Sequence, residues 1–539
     1  MAAHLKSGPI PPFEATPLDE ITAKLELLRN TFRTNKTKDI KFRLRQIRKL
    51  YWGMVDYAPL IEEALMKDMG KSKFEAHLTE MDWVKNEAIN VANKLTTWAK
   101  DESIVDLPIM YWPMRPRIRN EPLGQILMIG SFNYPFQLNM TPLIGAIAAG
   151  NCAVVKPSEL SPHSAMIIKK IMDEYLDTDC YFCVNGGIEE TQHVLNHKFD
   201  KVMFTGGRKT GAIIATKAAQ SLTPCLLELG GRNPAFITKN ADVKLAARRL
   251  LWQKCLNAGQ LCLSHNYVLI DRSVLDGFVA EINNQYRVFM PNGSKESDLS
   301  RIVNKSHFDR LIKMLSNTKG KVVMGGSSDA EKLWIEPTAV LVDSIHDSMM
   351  VEETFGPIWS ILPFDDLDQA IEIANTVDPT PLALFTFGSD AENKKGKFFL
   401  FLFFLSGVLL HFSLFGALDP QFPPPFFGTN ADAAACQVLD NVTSGGATIN
   451  DAFFHATMNA TPFGGVGGSG QGSYHGYYSF KAFSHQRVIA QVPKWAEMVL
   501  RVRYMPYSFS ELDRYRMLNA PAPNFDRDGN VTTGLRSWL

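Results

Sequence analysis

Two short segments carry residue types that can perform covalent catalysis. Glu228 lies within residues 226–231 (LLELGG), and Cys262 lies within residues 257–263 (NAGQLCL). Because leucines surround Glu228, loss of water should raise the pKa of its carboxyl and favour a general base. Cys262 follows a predicted helix in a glycine-containing loop, where a thiol can be an accessible nucleophile. Taken singly, each residue is more often structural, since most cysteines are small core residues.

A glycine-rich turn between a predicted strand and a predicted helix occupies residues 204–211 (FTGGRKTG). Its glycines, Gly206, Gly207 and Gly211, would let backbone N–H groups approach a phosphate at the helix N-terminus. The turn matches neither the P-loop nor the G-x-G-x-x-G pattern. Considered alone, it is better interpreted as an ordinary tight turn.

Two charged residues follow another predicted strand, in residues 154–159 (VVKPSE). Lys156 and Glu159 come just past the carboxyl end of that strand, which is where open α/β sheets bind ligands. An exposed loop with ordinary surface charges explains them equally well at this point.

The remaining candidates favour structural roles. Cys180 and Cys183 have the C-x-x-C spacing, but no second cysteine pair or histidine pattern accompanies them. The twelve histidines show no metal-ligand spacing, so we expect no metal site. No Gly-x-Ser-x-Gly elbow occurs.

The elements that must position these residues change character along the chain. The first hundred residues have apolar residues at helical spacing, beginning with Ile21, Leu25 and Leu28. From Gly124 onward, short apolar runs alternate with helix-length segments, which predicts βαβ units and a parallel sheet. A second series of this kind starts near residue 235. The sequence therefore predicts an α/β fold with two such domains.

Composition excludes several classes of protein. Of 539 residues, 56 are Lys or Arg and 56 are Asp or Glu, which argues against a dedicated nucleic-acid binder. A hydrophobic content of 45% excludes wholesale disorder. Seven cysteines over this length form no disulfide framework, and the N-terminus shows no signal-peptide core. We expect an intracellular, cytoplasmic enzyme, with peripheral membrane association left open.

One segment has a foreign composition. Residues 398–418 contain no Asp, Glu, Lys or Arg, and residues 396–436 hold 10 of the 34 phenylalanines. Gly396-Lys397 is a dipeptide that a splice donor would encode, so we interpret residues 396–436 as translated intron. A genuine insertion, such as a membrane-contacting hairpin, is the alternative. Residues 398–418 are also long enough for a membrane-spanning helix, which would divide the predicted catalytic domain across the bilayer.

Taken together, the motifs resemble the aldehyde dehydrogenase superfamily, and within it the class 3 or fatty aldehyde dehydrogenase-like branch. The general motifs are residues 131–136 (SFNYPF), 156–159 (KPSE), 204–207 (FTGG), 227–231 (LELGG), 259–262 (GQLC), 353–357 (ETFGP) and 462–467 (PFGGVG). The class 3 features are residues 444–451 (SGGATIND), 474–476 (YHG), 483–485 (FSH) and 503–507 (RYMPY).

The resemblance implies an aldehyde dehydrogenase-like fold, with two Rossmann-type α/β domains and a small β oligomerisation arm that supports a homodimer. The expected boundaries are 1–103 and 121–234 for the NAD-binding domain, 235–477 for the catalytic domain with the anomalous insert 396–436, 104–120 and 478–507 for the arm, and 508–539 for a C-terminal extension.

The resemblance also implies residue roles in NAD(P)-dependent aldehyde oxidation. Cys262 would attack the aldehyde and form a thiohemiacetal and then a thioester, Asn133 would stabilise the oxyanion, and Glu228 would activate water. The residues expected to contact the cofactor are Lys156, Glu159, Gly206, Gly207, Gly211, Leu229, Glu353 and Phe355.

The resemblance favours NAD over NADP and a long apolar substrate. A glutamate at position 159 suits a ribose 2′-hydroxyl, although Arg208 and Lys209 could tolerate a 2′-phosphate. We expect a fatty or apocarotenoid aldehyde as substrate. The alternative is a membrane-associated or inactive dehydrogenase-like protein, because of the hydrophobic insert; a CoA-acylating relative is disfavoured because such enzymes need no base at Glu228.

Overall fold

The computed structural model describes residues 4–104, 107–388, 433–519 and 523–531. The chain divides into a larger unit, residues 1–95 and 122–483, and a smaller unit, residues 96–121 and 484–539. Residues 396–432 of the anomalous segment 396–436 lie outside the described residues. The proposed origin of the segment therefore stays a prediction.

The described elements alternate between helices and strands through most of the chain. The strands are β1 (Glu102–Ser103), β2 (Arg117–Pro122), β3 (Gln125–Ile129), β4 (Cys152–Lys156), β5 (Tyr181–Cys183), β6 (Lys201–Gly206), β7 (Cys225–Leu229), β8 (Asn233–Ile237), β9 (His265–Asp271), β10 (Lys321–Met324), β11 (Ser328–Asp329), β12 (Trp334–Ile335), β13 (Thr338–Leu341), β14 (Ile358–Phe364), β15 (Ala383–Phe387), β16 (Gly446–Ile449), β17 (Gly470–Gln471) and β18 (Ser484–Ile489). The α-helices are α1 (Leu18–Arg33), α2 (Ile40–Asp56), α3 (Ala58–Met69), α4 (Lys73–Ala76), α5 (Asp82–Trp98), α6 (Gln137–Ala149), α7 (Pro162–Tyr175), α8 (Ile188–Leu195), α9 (Arg208–Ala219), α10 (Val243–Cys255), α11 (Leu275–Phe289), α12 (Lys305–Asn317), α13 (Leu367–Val377), α14 (Ala433–Asn441), α15 (Gly476–Ala482), α16 (Glu497–Leu500) and α17 (Phe509–Asn519).

The first large sheet has the strand order β17-β7-β6-β3-β4-β5. Strands β3 to β7 pair in parallel, and only β17 joins antiparallel, beside β7. Helices α6, α7 and α9 pack against its strands. The short apolar runs of the sequence become fully buried strands such as β3 and β4, as expected for a parallel sheet covered by helices.

The second large sheet has the order β10-β13-β14-β9-β8-β15-β16. All neighbouring pairs are parallel except β10 with β13. Successive side chains of β8 pack into two different hydrophobic clusters, one on each face of the sheet. Ala235 and Ile237 belong to one cluster and Phe236 belongs to the other. This alternation buries both faces of the sheet, so the prediction of a second parallel α/β series is confirmed.

The smaller unit contains a three-stranded sheet in the order β1-β2-β18. Its strands come from two distant parts of the chain, as does the arm expected from the sequence. The exact boundaries of arm and C-terminal extension stay a prediction. Among the helices of the described residues, none has the length and apolar character needed to cross a membrane; residues 398–418 lie outside that set.

Candidate active site

Loops at the carboxyl ends of parallel strands enclose a cavity of about 280 Å³. It lies within the larger unit. The residues singled out from the sequence that line it are Asn133, Gly206, Gly207, Glu228, Leu229, Cys262, Glu353 and Phe355. Of the other expected site residues, Lys156, Glu159 and Gly211 lie outside this lining.

The loop that carries Cys262 has an unusual backbone. Asn257, Ala258 and Gly259 are consecutive and left-handed, with φ of 50°, 51° and 67°. Such residues cost of order 1–3 kcal/mol each unless glycine relieves the strain, and they cluster at functional sites. A Cβ on Gly259 would overlap the carbonyl of Gly356, so glycine is required there for space as well. The strained turn therefore fixes the position of the backbone that leads to Cys262.

The Cys262 thiol is partly buried and faces acidic neighbours. Burial, together with the charges of Glu353 and Glu228, raises its pKa to about 12. Backbone N–H groups of Cys262 and Leu263 contact the sulfur and oppose the rise. At neutral pH the group is thus a thiol that must lose its proton before it can attack.

Glu228 lies near the end of β7 and is 4% exposed. Neither carboxyl oxygen accepts a hydrogen bond from any described residue. Burial raises the pKa of this carboxyl well above its ordinary value, as the surrounding leucines predict. An unpartnered buried carboxyl that lines a cavity is poised to exchange a proton with whatever enters it.

Asn133 presents its side-chain amide near the Cys262 loop. Its Nδ2 donates to the carbonyl of Gln260 at 3.0 Å. An amide nitrogen carries two hydrogens, so the second remains for an acceptor in the cavity. Asn257 Nδ2 donates both to the Gln260 carbonyl and to the Asn133 carbonyl, each at 3.0 Å. The strained loop and the Asn133 segment are therefore joined directly.

The glycine turn has two kinds of glycine. A Cβ on Gly207 would meet no atom of the described residues within 4 Å, so this N-cap of α9 opens onto space that a phosphate could occupy. A Cβ on Gly211 would come within 2.6 Å of the Leu229 side chain. Gly211 therefore allows α9 to pack closely on β7, which is a structural role.

The basic residue of that turn is already engaged. Arg208 donates to Asp378 at 2.6 Å and to the carbonyl of Gly230 at 3.1 Å. Asp378 also accepts from the backbone N–H of Arg232 at 3.0 Å. This ion pair fixes the loop after β7 beside the glycine turn.

Lys156 and Glu159 form an ion pair of 3.0 Å at the end of β4. The Lys156 side chain is buried and that of Glu159 is 40% exposed. The pair is at the same sheet edge as the cavity, and its glutamate faces outward, accessible to a ligand.

The loop before β14 contributes an acid and an aromatic ring. Burial raises the pKa of Glu353 to about 7, against the opposing effects of Arg208 and Arg310. Phe355 adopts a positive φ of 43° and its ring meets Phe132 edge-on at 5.9 Å. A Cβ on Gly230 would overlap the Glu353 carboxylate, so the absence of a side chain at Gly230 makes room for that acid.

Comparison with known proteins gives the same result as the motifs. The model of the aldehyde dehydrogenase family matches residues 12–392. The chain belongs to the aldehyde dehydrogenase family. It is 54% identical over 540 residues to the beta-apo-4'-carotenal oxygenase of Gibberella fujikuroi, an alignment that covers 100% of this chain and 92% of the relative.

Other aldehyde dehydrogenases match over most of their length. The 4,4'-diaponeurosporen-aldehyde dehydrogenase of Staphylococcus aureus is 38% identical over 458 residues, covering 85% of this chain and 90% of the relative. The solved substrate-bound state of Staphylococcus aureus AldH superposes with a TM-score of 0.78 at 36% identity, covering 88% of this chain and 94% of that one. The expected family, fold and reaction class, NAD(P)-dependent oxidation of an aldehyde, are confirmed.

In this aldehyde dehydrogenase, Cys262 also borders a second cavity, which is mostly apolar. It is a narrow space of about 40 Å³ that Cys262 lines with Trp83, Phe453 and Tyr474. Trp83 and Phe453 in turn line a third cavity of about 920 Å³. Cys262 thus lines both the polar cavity and a narrow apolar space that shares Trp83 and Phe453 with the much larger cavity.

Sequence reasoning missed several residues of this aldehyde dehydrogenase site. His307 and Arg310 line the polar cavity from α12, and Arg310 donates to the carbonyls of Glu353 and Thr354 at 2.9 and 2.6 Å. Lys254 is buried beside the same loop and donates to Thr354 Oγ1 at 3.3 Å; burial lowers its pKa to about 7. No local sequence pattern indicates these residues, because their contacts are with residues far away in the chain.

Proposed function

We propose that this aldehyde dehydrogenase oxidises long apolar aldehydes, of the fatty or apocarotenoid type, with Cys262 as the nucleophile. The observation that carries the proposal is the position of Cys262, which lines both the polar cavity and the narrow apolar space that shares Trp83 and Phe453 with the largely apolar 920 Å³ cavity. A chain that fills the apolar side would bring its aldehyde carbon to the sulfur. The names of the carotenal and diaponeurosporen-aldehyde relatives support this substrate class.

Cys262 would attack the carbonyl carbon and produce a tetrahedral thiohemiacetal oxyanion. The second N–H of the Asn133 amide and the Cys262 backbone N–H would stabilise the negative oxygen. With a thiol pKa of about 12, attack needs a proton acceptor, and the unpartnered Glu228 carboxylate lines the same cavity. We assign the thiol proton to Glu228 on that basis.

The residues around the polar cavity fit a dinucleotide. Gly207 leaves open space at the N-terminus of α9, Glu353 and Phe355 close the opposite wall, and Glu159 is accessible at the sheet edge. When bound, the nicotinamide cofactor accepts a hydride. We favour NAD over NADP, because Glu159 would repel a 2′-phosphate and Arg208 is held by Asp378.

Glu228 would act again to complete the reaction. Once the proton taken from Cys262 has passed to bulk solvent, Glu228 is a carboxylate again, with no hydrogen bond from any described residue. It can then take a proton from water and direct the hydroxide to the thioester carbon, and that proton passes to the departing Cys262 sulfur. The products are the carboxylic acid and the free Cys262 thiol. We further propose that the smaller unit, with its three-stranded sheet, supports a homodimer.

The test is a panel of aldehydes from propanal to hexadecanal, together with an apocarotenal, assayed with NAD and with NADP by absorbance of the reduced nicotinamide. We expect kcat/KM to rise with chain length and to be higher with NAD. Cys262→Ala should abolish the activity, whereas Cys255→Ala, which removes another partly buried thiol, should retain it. Turnover by Cys262→Ala, or a preference for propanal, would refute the proposal.

A further inference from the structure

A buried ion pair lies directly behind Asn133. Lys71 Nζ is 2.8 Å from Glu80 Oε1, and both side chains are 0% exposed. Lys71 follows the end of α3, and Glu80 lies in the π-helical turn His77–Met81. Removing two charges from water carries a large free-energy penalty, which their mutual attraction often fails to offset. Stability alone therefore does not account for an ion pair at this position.

The Lys71 ammonium group has three contacts in different directions. Besides Glu80, it donates to the backbone carbonyl of Asn133 at 3.1 Å. It also lies 4.2 Å from the ring centroid of Tyr134, a cation–π distance. One ammonium group thus holds the peptide that joins Asn133 to Tyr134.

Glu80 holds the other end of the same segment. Its Oε2 accepts from the backbone N–H groups of Phe136 and Gln137 at 3.1 and 2.9 Å, at the N-terminus of α6. The helix dipole favours a carboxylate in this place. Burial raises the pKa of Glu80, and Lys71 and the two N–H groups oppose the rise. The ion pair therefore holds residues 133–137 at both ends.

We propose that Lys71 and Glu80 are positioning residues of the oxyanion site, which fix residues 133–137 so that the free N–H of the Asn133 side chain stays directed at the substrate oxygen. The inference rests on the role proposed above for Asn133. Neither Lys71 nor Glu80 lines the cavity, so both act through Asn133. A displacement of about 1 Å in such a group can cost about 10²-fold in rate.

The test uses ester hydrolysis by the enzyme without cofactor, with p-nitrophenyl acetate as the probe. This reaction needs the Cys262 nucleophile and an oxyanion site but no nicotinamide. The variant is Lys71→Met combined with Glu80→Gln, which leaves no unpaired charge buried and keeps an oxygen for the N–H groups of α6. We expect kcat to fall by about 10- to 100-fold with KM unchanged.

The same double change is then made in an Asn133→Ala background. Because the pair acts through Asn133, we expect no further loss of kcat there. Asp68→Asn is the matched control: Asp68 is a buried acid that accepts from the N–H groups of His163 and Ser164 at the start of α7. It should retain the esterase kcat even if the protein becomes less stable.

Each outcome separates the two proposals. If Asn133→Ala retains full kcat, the oxyanion role of Asn133 is wrong, and with it the positioning role. If Asn133→Ala loses activity while the Lys71/Glu80 variant does not, only the positioning role is overturned. An equal proportional loss in both backgrounds would assign the pair a general structural role. Glu80→Asp, which keeps both charges, is measured in the same way should the double variant not fold.

Discussion

Replacing Glu228 by Gln tests both the chemistry and the electrostatics of the site. The amide has nearly the same shape as the carboxyl, but it can neither take a proton nor carry a charge. Glu228 is the acid whose oxygens lack partners among the described residues. Its removal should therefore leave the cavity intact while eliminating the general base that we assign to thioester hydrolysis.

The kinetic effect should appear in both halves of the reaction, because Glu228 is assigned both the thiol proton and the activation of water. General base catalysis contributes about 10²–10⁴-fold, so we expect steady-state kcat to fall by that factor, equivalent to about 2.7–5.5 kcal/mol. If deacylation becomes the slow step, a stopped-flow trace shows a burst of about one reduced nicotinamide per site followed by slow turnover. Because Glu228 is also assigned the thiol proton, the burst itself should be slower than in the wild type.

The stability effect has a definite sign. The folded-state pKa of Glu228 lies above its ordinary 4.5, so the native state binds more protons than the unfolded state over the pH range between the two values. The contribution of Glu228 to stability is then fully present below pH 4.5 and is lost as pH rises through the folded pKa, by about 1.4 kcal/mol per pH unit. The Gln variant lacks this contribution to the slope.

The assay is urea denaturation of the wild type and of Glu228→Gln at a series of pH values from about 4.5 upward. The free energy of unfolding of the wild type should fall more steeply with pH than that of the variant, by the slope given above. Glu87→Gln is the matched control, since burial raises the pKa of Glu87 to about 7 and its carboxyl accepts from Gly476 instead of facing the cavity. That control should keep wild-type kcat. Unchanged steady-state turnover of Glu228→Gln, or a pH slope identical to that of wild type, would refute the reasoning.

Three further predictions address other parts of the molecule. Because burial raises the pKa of Cys262 to about 12, its alkylation by iodoacetamide without cofactor should accelerate about tenfold per unit between pH 7 and 10; a plateau near pH 8 would contradict this. Gly211→Ala should lower the free energy of unfolding by about 1–3 kcal/mol, because the added Cβ meets Leu229. Gly207→Ala should leave the free energy of unfolding unchanged and weaken cofactor binding in calorimetry. A larger loss of stability in Gly207→Ala than in Gly211→Ala would contradict the packing. Deleting residues 396–436 should give a better expressed, active enzyme, and the mature transcript should lack them; an inactive deletion form beside an active full-length protein would show that the segment is native.

Much of the framework follows from local patterns in the sequence. Apolar runs such as residues 126–129 predicted buried strands, and both large sheets are parallel as expected, except at the edge strands β17 and β10. The leucines around Glu228 predicted a raised pKa because burial is a local consequence of β7. The motif resemblance brought Asn133, Glu228 and Cys262 together in advance, and all three line the same cavity.

Long-range contacts account for what the sequence could not predict. The left-handed turn at Asn257 and Ala258 is set by neighbours in other elements, including Glu75, which accepts from the Asn257 N–H at 3.1 Å. Gly211 belongs by position to the turn that was expected to bind phosphate, yet its missing side chain allows close packing on Leu229. The sequence suggested that Arg208 could contact a phosphate, but its guanidinium donates to Asp378, which is 170 residues away in the chain.

The dry environment of the site explains how a thiol and a carboxyl with raised pKa values can cooperate. In water a thiol of pKa 9.0 would hardly give its proton to a carboxylate of pKa 4.5. Burial penalises both anions, so the raised pKa of Glu228 makes it a stronger acceptor even as that of Cys262 rises to about 12. Attack then moves the negative charge from the poorly solvated carboxylate to an oxyanion held by Asn133. The site thus offers hydrogen bonds to the oxyanion while the Glu228 carboxylate receives none from the described residues, which is an arrangement that favours the transition state over the resting enzyme.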